Sequence, residues 1–165
     1  MLGTDKERFL TQLIRHEGAR RDAAGKHCPY RDSVGVLTIG YGHNLEANPV
    51  PGLDSSSRLT EEQARRLLEA DLNALEPRLK AALPWAGRLC SARYGVLLNM
   101  AFNLGLKGLL GFKNSLALMG NGNYHGAANS MLASRWAAQV GNRARELAEQ
   151  MRAGRWQTGA PEART

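Results

Sequence analysis

Two carboxylates stand where the sequence pattern puts them on separate elements: Glu17 and Asp32. Phe9, Leu10, Leu13 and Ile14 recur at helical spacing, Glu17 falls four residues after Leu13, and Gly18 follows as a helix stop. The helix therefore delivers an acid to its own C-terminal end, on or beside its buried face. The helix dipole disfavours an anion there and helps to hold the acid protonated. Asp32 opens a β segment. Two carboxylates on separate elements facing one cleft suit glycoside hydrolysis, in which one protonates the leaving oxygen and the other orients water or stabilises positive charge. Spacing alone does not single out this pair, because the chain has 15 acidic residues and most such groups are solvated surface charges. Asp32 also reads as a turn-former accepting backbone N–H bonds, and Thr38, six residues on, as a β-branched strand residue.

Other reactive side chains give less. His16, His27, Cys28 and Cys90 lack the regular ligand spacing of zinc sites, so no metal is assigned and no cofactor is expected. Two cysteines exclude a disulfide-dense scaffold, and two free thiols is the simpler reading. Lys and Arg number 22 against 15 Asp and Glu, a net charge of +7. A field of that sign favours polyanions, whether nucleic acid, anionic lipid or an acidic cell-wall polymer, without choosing among them. From Ser134 to Trp156 there are five Arg and two Glu, so the last helices carry a positive face.

The elements that must position these groups follow from pattern. The 165 residues are 43% hydrophobic and 22% charged, an ordinary globular composition sufficient for one domain with two small parts. Thr4 with Glu7, and Thr60 with Gln63, read as capping boxes opening helices. Residues 19–31 are irregular and polar. Val36, Thr38 and the flanking glycines suggest short strands joined by tight turns, and Asn48 to Ser57 is a loop. Ala64, Leu67, Leu68, Leu72 and Leu75 share one helical face, which Pro77 is expected to end or kink. Beyond it only helices are read: an almost wholly apolar one over Tyr94 to Leu104, one capped by Asn114-Ser115 before a turn at Gly120 to Asn123, then Gly126 to Ala133 and Arg143 to Arg152. Trp136, Trp156 and Met100 read as core. The first ten residues lack the apolar core of a signal peptide, and no apolar run approaches a membrane span. The expected organisation is a single α+β, mostly helical domain over 1–165. It comprises a small β-containing part at about 15–60, a linking helix at about 60–76, a helical part at about 77–156 joined by the N-terminal helix 5–17, and a frayed tail over 158–165.

Taken together, Glu17-Gly18, Tyr30-Arg31-Asp32 and Gly35-x-x-Thr38-Ile39-Gly40-Tyr41-Gly42-His43 resemble the active-site signature of the T-even phage lysozyme family, glycoside hydrolase family 24. Asn99 to Gly105 resembles that family's buried central helix, and Gly111 to Leu116 the helix start that follows it. Ser134-Arg135-Trp136, Asn142-Arg143-Ala144 and Gly154-Arg155-Trp156 resemble its C-terminal end. The matches run in order over nearly the whole chain, and the ordered set is far more specific than any one motif.

The resemblance implies a lysozyme-like fold of two lobes with a cleft between them. It implies a muramidase that cleaves the β-1,4 bond between N-acetylmuramic acid and N-acetylglucosamine in bacterial peptidoglycan. Glu17 matches the general acid, and Asp32 with Thr38 the groups that position the attacking water, giving inversion. Such a water requires widely separated carboxyls, about 6.5–9.5 Å in inverting enzymes generally. Arg143 matches an arginine that approaches the acid, where its charge would lower the pKa of Glu17. Phe102 and Asn103 match the floor of the sugar cleft and Asn142 its C-terminal rim. His43 and Asp71 match a structural ion pair, in which the histidine pKa is expected to be raised. The resemblance further implies a monomer that waits in the host cytoplasm for a holin-type membrane protein to release it to the cell wall, with no nucleic-acid partner. Competing readings are a lytic transglycosylase on the same fold, which would need no hydrolytic water, and a catalytically inactive peptidoglycan-binding module. The chain departs from the family prototype in two places. The stretch between Glu17 and Asp32 is longer, adding Arg21, Asp22, Gly25, Lys26, His27 and Cys28 beside the expected cleft, and Asn44 to Leu59 is shorter. A loop absorbs such changes at small entropic cost.

Overall fold

Helix α1 spans Lys6–Glu17 and buries Phe9, Leu10 and Leu13 completely or nearly so, the stripe the sequence shows. Thr4 does not cap it. A single 3-10 turn, Gly3–Asp5, leads straight into the helix and contains Thr4. The helix stops where Gly18 takes φ +64°, a left-handed conformation that glycine enters without steric cost, while its N–H closes onto the Ile14 carbonyl at 3.0 Å. The structure is a computed structural model and describes residues 2–159. Most of the expected 158–165 tail, from residue 160 onward, lies outside the described residues.

The chain forms two compact units, Ile14–Ala74 and Met1–Leu13 with Leu75–Thr165. In the first, strands β1 (Tyr30–Arg31), β2 (Leu37–Ile39) and β3 (His43–Asn44) make an antiparallel sheet in the order β1-β2-β3. Tyr30 lies opposite Thr38, and Ile39 opposite His43. Strands this short cannot stand alone. Ile39, Leu45 and Leu59 form a small buried cluster under them, with Leu37, Val50, Leu53 and Leu67 packed around it.

Helix α2 spans Glu61–Ala82. Its start is a reciprocal capping box: Gln63 N–H donates to Thr60 Oγ1 at 3.1 Å, and Gln63 Oε1 accepts from Thr60 N–H at 2.8 Å. Its end lies beyond the expected boundary near residue 76. Pro77 lies inside the helix, which continues through Leu79, fully buried, to Ala82. One lost backbone hydrogen bond is offset there by the burial of the last turn, since a fully buried leucine contributes about 1.5–3 kcal/mol.

The helical unit is built on α3 (Ser91–Leu110), whose Tyr94, Val96, Leu97, Leu98, Asn99 and Met100 are fully buried. Gly95 faces Trp156 so closely that a Cβ would sit 2.5 Å from the indole, so only glycine fits. The helix breaks at Gly105, whose backbone is extended with φ +77°. Around it stand α4 (Lys113–Gly120), α5 (Tyr124–Leu132), α6 (Arg135–Val140) and α7 (Asn142–Ala153), with α5 packed on both α4 and α7. Asn114 and Ser115 lie inside α4 rather than capping it, and both side chains bond to the Ser130 hydroxyl on α5 instead, at 3.1 and 2.7 Å. The short α6 was not expected; Ser134 caps it by accepting from Ala137 N–H at 3.1 Å. Trp136 is buried, and Met100 wholly so. Cys28 and Cys90 are free thiols. No single helix among the described residues is long and apolar enough to cross a membrane.

Candidate functional site

The unit Ile14–Ala74 carries Glu17, Asp32 and Thr38. Glu17 is the last residue of α1 and is half-buried. Asp32 follows β1 and heads the turn to β2. Its Oδ1 accepts from the N–H groups of Val34 and Val36, both at 2.9 Å, while its backbone closes the turn with Val36 at 3.0 Å. The turn-forming reading of Asp32 is therefore realised by one carboxylate oxygen, and Oδ2 makes no such bond. Thr38, on β2, is 4% exposed, and its hydroxyl donates to the Val36 carbonyl at 3.0 Å. With its proton so committed, Thr38 Oγ1 meets any further partner as an acceptor.

Tyr30 links these groups. It stands opposite Thr38 in the β1–β2 register, on the same face of the sheet. Burial pushes its phenol pKa up, and the negative charges of Glu17 and Asp32 push the same way against the opposing charge of Arg20. The sequence reading gave Tyr30 no role of its own; its place beside Asp32 in the signature was the available signal.

Two polar anchors hold the rest of this unit. His43 Nδ1 lies 2.8 Å from Asp71 Oδ2, and its Nε2 lies 2.8 Å from the Asn48 carbonyl. The bond to Asp71 raises the histidine pKa and outweighs burial, which lowers it. The second anchor centres on Glu61, at the start of α2. Glu61 Oε1 receives Arg21 at 2.8 Å and faces the wholly buried His27 at 2.9 Å, and the Tyr41 hydroxyl donates to the carboxylate at 2.7–2.8 Å. Burial pulls the Glu61 carboxyl up, but the bonds from Tyr41, His27 and Arg21 leave it below its ordinary range. Burial and the Glu61 carboxylate push the Tyr41 phenol up to about 12. Arg21 and His27 belong to the longer stretch after Glu17, so that stretch is tied to the sheet and to α2 rather than loose. No local pattern hints at this, because Arg21 and Glu61 are 40 positions apart.

Phe102, Asn103, Asn142 and Arg143 lie in the helical unit. Phe102 is half-buried on α3. Asn103 accepts from Trp136 Nε1 at 2.7 Å, and Asn142 accepts from Arg145. Arg143 donates to Oδ1 of the buried Asn99 at 2.8 and 3.1 Å. The sequence reading did not single out Asn99 as the partner of Arg143. A groove of about 410 Å³ in this unit is lined by Leu104, Phe112, Ser115, Ser130, Arg135 and Trp136 among others, and not by Phe102, Asn103, Asn142 or Arg143. Among the described residues, no group of His, Cys, Asp and Glu side chains is arranged to hold a metal ion.

A profile described as phage lysozyme matches residues 16–154, a span that opens one residue before Glu17 and includes every residue named above as a candidate. The chain belongs to the phage lysozyme family. It is 31% identical over 125 residues to the endolysin of Salmonella phage P22, covering 74% of this chain and 77% of that protein. It is 34% identical over 101 residues to the peptidoglycan hydrolase gp36 of Enterobacteria phage SP6, covering 52% of this chain. The chain matches only 10% of the length of that SP6 protein. The fold agrees with membership: α+β, mostly helical, with one small antiparallel sheet among the described residues.

Proposed function

We propose that this family member is an endolysin that hydrolyses bacterial peptidoglycan as a muramidase, cleaving the β-1,4 bond between N-acetylmuramic acid and N-acetylglucosamine with inversion. The observation that carries the reading is the setting of Asp32 and Thr38 in the same unit as Glu17. One oxygen of Asp32 is fixed by two backbone N–H bonds and the other is left to act, and Thr38 has its proton turned away onto Val36.

In this reading Glu17 gives its proton to the glycosidic oxygen as the C1–O bond breaks. A water held by Asp32 Oδ2 and Thr38 Oγ1 spends both of its protons on these two acceptors. Its lone pair then faces the anomeric carbon from the opposite side of the ring. As the new C1–O bond forms, Asp32 takes one water proton, and inversion follows from the direction of attack. Phe102, Asn103, Asn142 and Arg143 contact the sugar chain, and Asn99 holds Arg143 in place. The His43–Asp71 pair supports the unit structurally. The protein acts as a monomer, and a holin-type membrane protein releases it from the cytoplasm of the host.

The test is proton NMR of peptidoglycan during digestion by wild type and by Glu17→Gln. The expected result is early α-configured reducing ends from wild type and a loss of at least about 100-fold in rate in the variant, the scale of a general acid. Early β products would overturn the water-positioning role of Asp32 and Thr38. Anhydro-muramyl products without reducing ends would make the protein a transglycosylase, and no product from wild type would make it a binding module.

A further inference from the structure

The stretch between Glu17 and Tyr30 has a built shape and an unused cation. Arg21 and His27 form an antiparallel bridge, Cys28 N–H donates to the Arg20 carbonyl at 3.0 Å, and Asp22 N–H donates to Lys26 at 2.8 Å. Neighbouring side chains in such extended backbone point opposite ways. Arg21 turns onto Glu61 and Tyr41, which pins the segment. Arg20 turns the other way and lies over the ring of Tyr30, its guanidinium carbon 5.2 Å from the ring centroid. Among the described residues Arg20 makes no side-chain hydrogen bond and no ion pair.

A guanidinium resting on an aromatic ring is held by its face, and its N–H edge stays open. That edge is the geometry that grips a carboxylate with two parallel hydrogen bonds. The ring beneath it is the one that stands opposite Thr38 and feels the charges of Glu17 and Asp32. Both carboxylates of that pair are accounted for in the reaction, so an anionic partner for Arg20 must arrive with the substrate. The N-acetylated glycan carries no charge along its backbone, whereas the peptides attached to it carry free carboxyl groups.

We propose that Arg20 is a specificity-determining residue that binds a free carboxylate on the peptide portion of peptidoglycan, beside Glu17 and Asp32. This rests on the muramidase reading above. The bond is made to substrate and transition state alike, so its effect falls on KM rather than on kcat. The inserted segment is then a carrier: the Glu61 anchor fixes Arg21, and Arg20 is presented ready-made, with little conformational freedom left to lose on binding.

The test uses purified cell-wall sacculi in two forms, native and with their carboxyl groups amidated by carbodiimide coupling to glycinamide. Release of reducing ends is followed with wild type, Arg20→Gln and Arg20→Lys. For wild type, amidation is expected to raise KM about fivefold, with kcat changed less than about twofold, the scale of an exposed charge-assisted pair. Arg20→Gln is expected to show the raised KM on native sacculi and no further rise on amidated ones. Arg20→Lys should fall between them, because the ammonium keeps the charge but loses the planar fork. Equal sensitivity to amidation in wild type and Arg20→Gln overturns the proposal, as does a wild type indifferent to amidation. A loss in Arg20→Gln that falls on kcat with a shifted pH profile overturns it too, because Arg20 would then be acting on the catalytic acids. A wild type that releases no reducing ends from native sacculi overturns the muramidase reading itself.

Discussion

In the helical unit, α3 buries Val96, Leu97, Leu98, Met100 and Leu109 without remainder, and Met119, Met131, Leu147 and Met151 are buried on the helices that follow. Its polar links centre on amides: Gln12 Nε2 donates to Gln150 Oε1 at 2.8 Å and to Glu146 Oε2 at 2.7 Å, and Gln150 Nε2 donates to the Ala92 carbonyl at 2.8 Å. In the unit Ile14–Ala74 the buried apolar cluster shrinks to Ile39, Leu45 and Leu59 with a partly buried fringe. Charged side chains tie it instead: Glu61 with Arg21 and His27, His43 with Asp71, and Arg31 with Glu46 at 2.7 Å. Strands of two or three residues cannot bury enough surface to fix themselves, so hydrogen-bonded ions set their positions. The difference teaches that the unit bearing the candidate acids leans more on contacts that respond to pH and salt, while the helical unit leans more on apolar packing.

That contrast can be broken at several points. The largest effect is expected in the helical unit, where Leu97→Ala should cost about 2–5 kcal/mol in denaturant unfolding, because it leaves a cavity in a fully packed core. A loss below about 1 kcal/mol would mean that α3 is not the main source of stability. A smaller and more local effect is expected from Glu61→Gln, about 1 kcal/mol for a partly exposed hydrogen-bonded ion. Hydrogen exchange should quicken at the His27 and Leu59 amides, which bond each other's carbonyls at 2.8 and 3.0 Å, and remain unchanged along α3. Faster exchange in both regions alike would erase the distinction between the units.

The smallest effect is the one that depends on pH. The folded pKa of His43 is raised by Asp71, so the folded state binds this proton more tightly than the unfolded chain does. The stabilisation is fully present below the ordinary histidine value of about 6.5 and is lost as pH rises through the higher folded value. His43→Asn should therefore destabilise most at about pH 5 and progressively less above about pH 7, as read from thermal unfolding across that range. An equal loss at every pH would reduce the pair to packing.

The features legible in the sequence were those set by near neighbours along the chain. The Thr60–Gln63 capping box, the Gly18 stop and the turn headed by Asp32 need partners within a few positions, and residue types report such partners directly. The apolar stripe of α1 was equally plain, because its period shows which face is buried. Of the two outcomes read at Pro77, an end to the helix is the one the structure excludes, because the burial of Leu79 that offsets the local cost is tertiary. Helix α6 escaped because six residues are too few to show a period.

By itself, then, the sequence determined the family, the mostly helical α+β class, and the elements on which Glu17, Asp32 and Thr38 stand, since ordered motifs and short-range hydrogen bonding suffice for these. Only the tertiary structure decided what holds those elements still. Arg21 reaches Glu61 across 40 positions and Arg143 reaches Asn99 across 44, while the pairing of His43 with Asp71 across 28 was legible only through the family resemblance. Tyr30 meets Thr38 through strand register, and Arg20 settles on the Tyr30 ring through the fold of the segment between them. A charged residue carries no mark of its eventual partner in its own identity. That choice is made when folding closes the loops between them and removes water from the pair.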